Sequence, residues 1–86
     1  MIERSVKIEL AQGLAARPAA EFVKRAASFT SSVHIGKNGQ FIDAKSILGV
    51  MSMAFSRGEE LILQVDGADE TAAVESLVEL LSKEGL

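Results

Sequence analysis

The spacing of apolar residues along the chain switches between two and three-to-four. Val6, Ile8 and Leu10 alternate with Ser5, Lys7 and Glu9, the period of a strand with one buried face. Gly13 ends that strand. From Pro18 the period lengthens: Ala19, Phe22, Val23, Ala26 and Ala27 share one helical face, with Glu21, Lys24 and Arg25 outside it. Pro18 suits a first helical turn, where its missing N–H is no loss.

Val33 and Ile35 resume a strand, and Phe41-Ile42 begins another. The Asn38-Gly39 pair between them favours a tight hairpin turn, because both residues tolerate positive φ. Ser46 then precedes Ile47, Leu48, Val50, Met51 and Ala54, a short helix that Ser46 is placed to cap. Gly58 closes this segment. Leu61, Leu63 and Val65 alternate with Glu60, Gln64 and Asp66 as a fourth strand. After Gly67, the positions Val74, Leu77, Val78 and Leu81 form the face of a last helix over about residues 69–83. The order is β-α-β-β-α-β-α, which predicts an open-faced α/β (α+β) sandwich with helices on one side of the sheet and solvent on the other.

Composition narrows the function. The 86 residues, with no linker, repeat or low-complexity tract, predict a single domain over 1–86. With no cysteine, neither disulfides nor a thiolate metal site contribute. The first residues lack an apolar signal segment and no run is long enough to span a membrane, so the expectation is a soluble, cytoplasmic protein. Twelve acidic residues against nine basic ones give a net charge of −3. No dense basic stripe is present, which argues against direct nucleic-acid binding. No metal-ligand cluster, acid–base pair or nucleophile–base set stands out, so neither an enzyme nor a cofactor is expected.

Two places carry chemistry. At the start of the first helix, free N–H groups and the helix dipole attract anions, and Arg17 adds a permanently charged planar donor. Ala15 falls at or near the N-cap, where an alanine forgoes about 1 kcal/mol relative to a capping side chain. At the second helix, Ser46 has the position of an N-cap, where an added phosphate would also be favoured by the dipole. Ile47, Leu48, Val50, Met51, Met53, Ala54 and Phe55 are too many for one narrow face. Some must be exposed, as a partner surface would be. His34, the only imidazole, alternates with Val33 and Ile35 and is read as a residue of the solvated sheet face.

The run Gly13-Leu14-Ala15-Ala16-Arg17-Pro18-Ala19-Ala20 closely resembles the active-site segment of HPr, the histidine-containing phosphocarrier of bacterial sugar uptake. The run Ala44-Lys45-Ser46-Ile47-Leu48-Gly49-Val50-Met51-Ser52 resembles the regulatory serine segment of HPr proteins from Gram-positive bacteria. The element order also matches the HPr fold, a four-stranded antiparallel sheet with three helices on one face. In that family the residue after Gly-Leu is the histidine that receives phosphate from enzyme I. Here it is Ala15, and a methyl group offers no nucleophile.

The resemblance implies an anion-binding role for Ala16 and Arg17, and phosphorylation of Ser46 by the HPr kinase/phosphorylase. It also implies a docking face of Arg17, Lys24, Lys45, Ile47, Leu48 and Met51. It is greatest to a catabolite-repression branch that keeps the serine and replaces the histidine, usually by glutamine, a pattern from which Ala15 departs. In that branch the phosphoserine protein docks onto a LacI-type catabolite control repressor. The alternative is a sugar-transport phosphocarrier with alanine in place of histidine at position 15, still able to bind enzyme I and the sugar-specific components. The tail, residues 82–86, resembles ordinary HPr tails more than those of the branch, which keeps that alternative open. Branch members are prone to strand exchange, for which residues 11–13 form the expected hinge.

Overall fold

The computed structural model describes residues 1–83. Its elements are β1 (Ile2–Lys7), α1 (Ala16–Ala27), β2 (Ser32–Lys37), β3 (Gln40–Asp43), α2 (Ile47–Ser52), β4 (Glu60–Asp66) and α3 (Glu70–Leu81). The four strands form one sheet in the order β1-β4-β2-β3, every neighbouring pair antiparallel. This is the α+β sandwich that the periodicity predicts.

Register decides which face is buried. Val6 lies opposite Leu61, Ile35 opposite Leu63 and Val33 opposite Val65, and all six are buried. The helices cover that face with Ala19, Phe22, Ala26, Val50, Ala73, Val74, Leu77, Leu80 and Leu81. Residues one position off turn to the other face, among them His34, exposed between Gln64 and Asp43 as its alternation requires. The hairpin follows its local chemistry: Asn38 (φ 55°) and Gly39 (φ 80°) link the paired residues Lys37 and Gln40, both with the positive φ of a type I′ turn.

Several boundaries differ from the sequence pattern. β1 covers Ile2–Lys7, earlier than the Val6–Ile8–Leu10 alternation suggests. Ile8 and Leu10 are fully buried, but the backbone there has left the β4 ladder. Ile8 N–H donates to Glu59 O, Ile8 O accepts from Gly58 N–H, and Glu9 N–H donates to Leu81 O. Ala27, placed on the buried face of α1, is exposed in the helix's final position. Val23 and Val78 are half-buried, and Leu80 joins the buried face of α3. α2 stops at Ser52 because Ala54 takes φ 52°, a left-handed conformation that no continuing α-helix admits. The last helix ends at Leu81 rather than near residue 83. Of the tail at 82–86, residues 84–86 lie outside the described residues.

Asp69 is the N-cap residue of α3, its carbonyl accepting the Ala73 N–H at 3.0 Å, but its side chain makes no capping bond. Its carboxylate accepts the N–H groups of Thr30 and Ser31, each at 2.9 Å, and the Ser31 hydroxyl. These bonds, that of the Ser31 hydroxyl foremost, lower its pKa from 3.8 to about 2. The α1–β2 connection is thereby fastened to the start of α3.

Candidate functional site

Ala15 is the N-cap residue of α1 (φ −132°, ψ 156°), and no side-chain bond caps the helix. Ala16 follows with φ 51°. A non-glycine residue in this region costs on the order of 1–3 kcal/mol and persists only where its surroundings enforce it. The surroundings here are the connection that runs out of α2. Gly13 (φ 67°) sits so close to Phe55 that a Cβ would stand 2.3 Å from the Phe55 carbonyl oxygen. That same oxygen accepts the Leu14 N–H at 3.0 Å, and Leu14 is buried. The start of α1 is therefore seated on the exit of α2.

The other end of α1 is tied to the entrance of α2. Lys45 donates from Nζ to Phe29 O at 2.9 Å. Fastened at both ends, the two helices lie side by side in opposite directions. Lys45 is half-buried by this bond, whereas Arg17 and Lys24 are exposed. Among the described residues none of the three enters an ion pair.

Ser46 caps α2: its Oγ accepts the Gly49 N–H at 3.2 Å, and its carbonyl accepts the Val50 N–H. The Asp43 carboxylate accepts the Lys45 N–H at 2.9 Å, and Asp43 O accepts from Ser46 N–H, which sets the turn into the helix. Ser46 itself is exposed. Val50 alone of the α2 residues is buried, and Ile47, Leu48 and Met51 are exposed by 38%, 80% and 47%. Their i, i+3 and i, i+4 spacing makes them neighbours on the helix surface. The apolar excess of this segment thus divides into a core contribution from Val50 and Phe55 and an outward patch.

The family model of the PTS HPr component phosphorylation site matches residues 2–83. The chain belongs to the HPr family. It is 45% identical over 84 residues to the HPr-like protein Crh of Halalkalibacterium halodurans, covering 98% of this chain and all of that protein. HPr-C-His from Thermoanaerobacter tengcongensis has a TM-score of 0.91 at 41% identity, over 94% of this chain and 91% of that one. The crystal structure of Bacillus subtilis Crh, described as a swapped, intertwined dimer, has a TM-score of 0.78 at 45% identity, over 100% and 99% of the two chains. The phosphocarrier protein HPr of Buchnera aphidicola is 37% identical over 83 residues, covering 96% of this chain and 98% of that protein, and no helix of the described residues is long and apolar enough to cross a membrane.

Within this HPr framework, several contributors escaped the sequence pattern. Phe55 reads there as one more apolar residue, yet its carbonyl seats the Gly13-Leu14 turn. Lys37 lies 4.8 Å from the centre of the Phe55 ring and pairs with Glu59 at 3.1 Å. Glu59 also accepts the Ser56 N–H at 2.6 Å. That bond first, and Lys37 second, hold its carboxyl below the usual range. Arg57, exposed beside Ser56, is a further cation of the same connection. The only cue to any of these lay in charge and aromatic type, without a spacing to join them. At residues 11–13, Ala11 and Gln12 form an exposed turn closed by Gly13 N–H donating to Leu10 O.

Proposed function

We propose that this HPr-family chain is a regulatory protein of carbon catabolite repression, switched by phosphorylation of Ser46 and unable to relay phosphate through position 15. The observation that carries this reading is the contrast between the two caps. The α1 cap offers only the methyl of Ala15, while the α2 cap presents an exposed hydroxyl beside an exposed apolar patch. The identity to HPr-like proteins Crh supports the same assignment.

In this reading residues 1–86 act as one cytoplasmic domain, without cofactor, metal or enzymatic activity of their own. The HPr kinase/phosphorylase transfers phosphate from ATP to Ser46. The phosphoserine makes charge-assisted hydrogen bonds to a LacI-type catabolite control repressor. Ile47, Leu48 and Met51 fill an apolar recess on it, and Arg17, Lys24 and Lys45 contribute the charged rim. Ala16 and Arg17 form the remnant anion site. The repressor, not this chain, contacts DNA.

The test is repressor binding to operator DNA in the presence of this protein, unmodified, phosphorylated on Ser46, or carrying Ser46→Ala. Enhancement confined to the phosphorylated protein supports the switch; equal binding with all three overturns it. A second reading, favoured by the superposition on an HPr, is a phosphocarrier blocked at position 15. It predicts binding to enzyme I and the sugar-specific components with no effect on the repressor.

A further inference from the structure

Six glycines fall within the described residues, and the fold accounts for five of them. Gly13, Gly39, Gly58 and Gly67 have positive φ, which glycine alone adopts without strain. Gly36 leaves no room for a side chain, because a Cβ would stand 2.4 Å from Gln40 O and 2.6 Å from the Phe41 ring. Gly49 fits neither account. Its φ is not positive, and a Cβ would meet nothing nearer than 3.5 Å, an ordinary contact distance. It also sits in the six-residue α2, where glycine disfavours helix relative to alanine. Violations of local preference without a packing reason belong at functional positions.

The atoms around that missing Cβ indicate the function. It would stand 3.5 Å from Ser46 Oγ and 3.5 Å from Ser46 Cβ, with Ile42 Cδ1 at the same distance. The space tolerates a methyl group beside a hydroxyl, but a phosphoryl group brings three further oxygens to Oγ. The Gly49 N–H that donates to Oγ would then be shared with those oxygens. We propose that Gly49 is a specificity-determining residue for Ser46 phosphorylation: by lacking a side chain it leaves open the volume that the phosphoryl group must enter. This rests on the reading of Ser46 as the phosphate acceptor. In that transfer Oγ forms a bond to the γ-phosphorus of ATP, the bond to ADP breaks, and the hydroxyl proton passes to a base on the kinase.

The experiment compares four proteins: Gly49 or Gly49→Ala, each with serine or co-translationally inserted phosphoserine at position 46. In the unmodified protein Gly49→Ala raises Tm by about 4 °C, the usual helix-propensity gain in a domain of this size. In the phosphoserine protein that gain vanishes or turns into a loss. The same rise in both backgrounds overturns the proposal. A parallel incubation with HPr kinase and ATP, followed by intact mass, separates it from the reading beneath it. Phosphate uptake by the unsubstituted protein alongside equal Tm gains removes the role of Gly49 and leaves Ser46 as acceptor. No uptake alongside a lost Tm gain removes the kinase reading and leaves the crowding at Gly49 established.

Discussion

The Leu14 N–H donates to the Phe55 carbonyl at 3.0 Å, across a chain separation that no local pattern reveals. Through this bond the connection leaving α2 sets where α1 begins, and so where Ala15, Ala16 and Arg17 stand. Gly13 permits it, since only a residue without Cβ can approach that oxygen. Gly13→Ala combines a backbone clash with an unfavourable φ and should destabilise the fold by about 1–3 kcal/mol. Urea denaturation measures it. A loss confined to a few tenths would mean the two segments are not rigidly seated.

The uncapped start of α1 offers a gain. Ala15 already has the extended backbone of an N-cap, so Ala15→Ser adds an acceptor for a free N–H without moving the chain. The variant should be more stable by about 1 kcal/mol, read as a higher urea midpoint at unchanged slope. An unchanged midpoint would show that the left-handed Ala16 holds those N–H groups out of reach.

Asp69 makes stability depend on pH in a defined window. Its pKa in the fold, about 2, lies below the ordinary 3.8. The ionised carboxylate therefore stabilises the fold fully above the unfolded pKa, and the contribution is lost as pH falls from 3.8 toward about 2. Glu59 and Glu70 are lowered in the same sense, each foremost by a backbone N–H, from Ser56 and Gly67. Thermal melting of Asp69→Asn should show a lower Tm at neutral pH and a shallower acid slope than the parent, though not a flat one. Parallel curves would remove Asp69 from the account.

Leu48 separates docking from folding. It is 80% exposed, whereas Val50, two residues on, is fully buried. Leu48→Ala should change stability by no more than about 0.5 kcal/mol while weakening repressor binding by the phosphorylated protein. Val50→Ala should cost about 1–3 kcal/mol. Titration calorimetry and urea denaturation check the pair. Repressor affinity that survives Leu48→Ala would move the docking face elsewhere.

How much of this was legible in the sequence depended on the range of the interactions. The Asn38-Gly39 turn, the alternation of β2 and β4 and the two cap positions follow from neighbouring residues, and they appear where the pattern puts them. The end of β1 does not, because Ile8 and Leu10 keep alternating after the backbone has exchanged β4 for the carbonyls of Glu59 and Leu81. The end of α2 is hidden because Ala54, an ordinary helix former, takes a left-handed conformation. Lys45 reads as a rim cation, but its bond to Phe29 also couples the two helices of the candidate site. Likewise nothing near Asp69 in the chain announces that its partners are Thr30 and Ser31.

The central claim is a switch on serine in a chain that has lost the histidine route. The most direct measurement is intact mass after incubation with HPr kinase and ATP, alongside a second incubation with enzyme I and phosphoenolpyruvate. The account predicts one phosphate in the kinase reaction, absent from Ser46→Ala, and none in the enzyme I reaction unless Ala15→His restores an acceptor. Phosphate acquired from enzyme I by the unsubstituted chain, or none from the kinase, would contradict it.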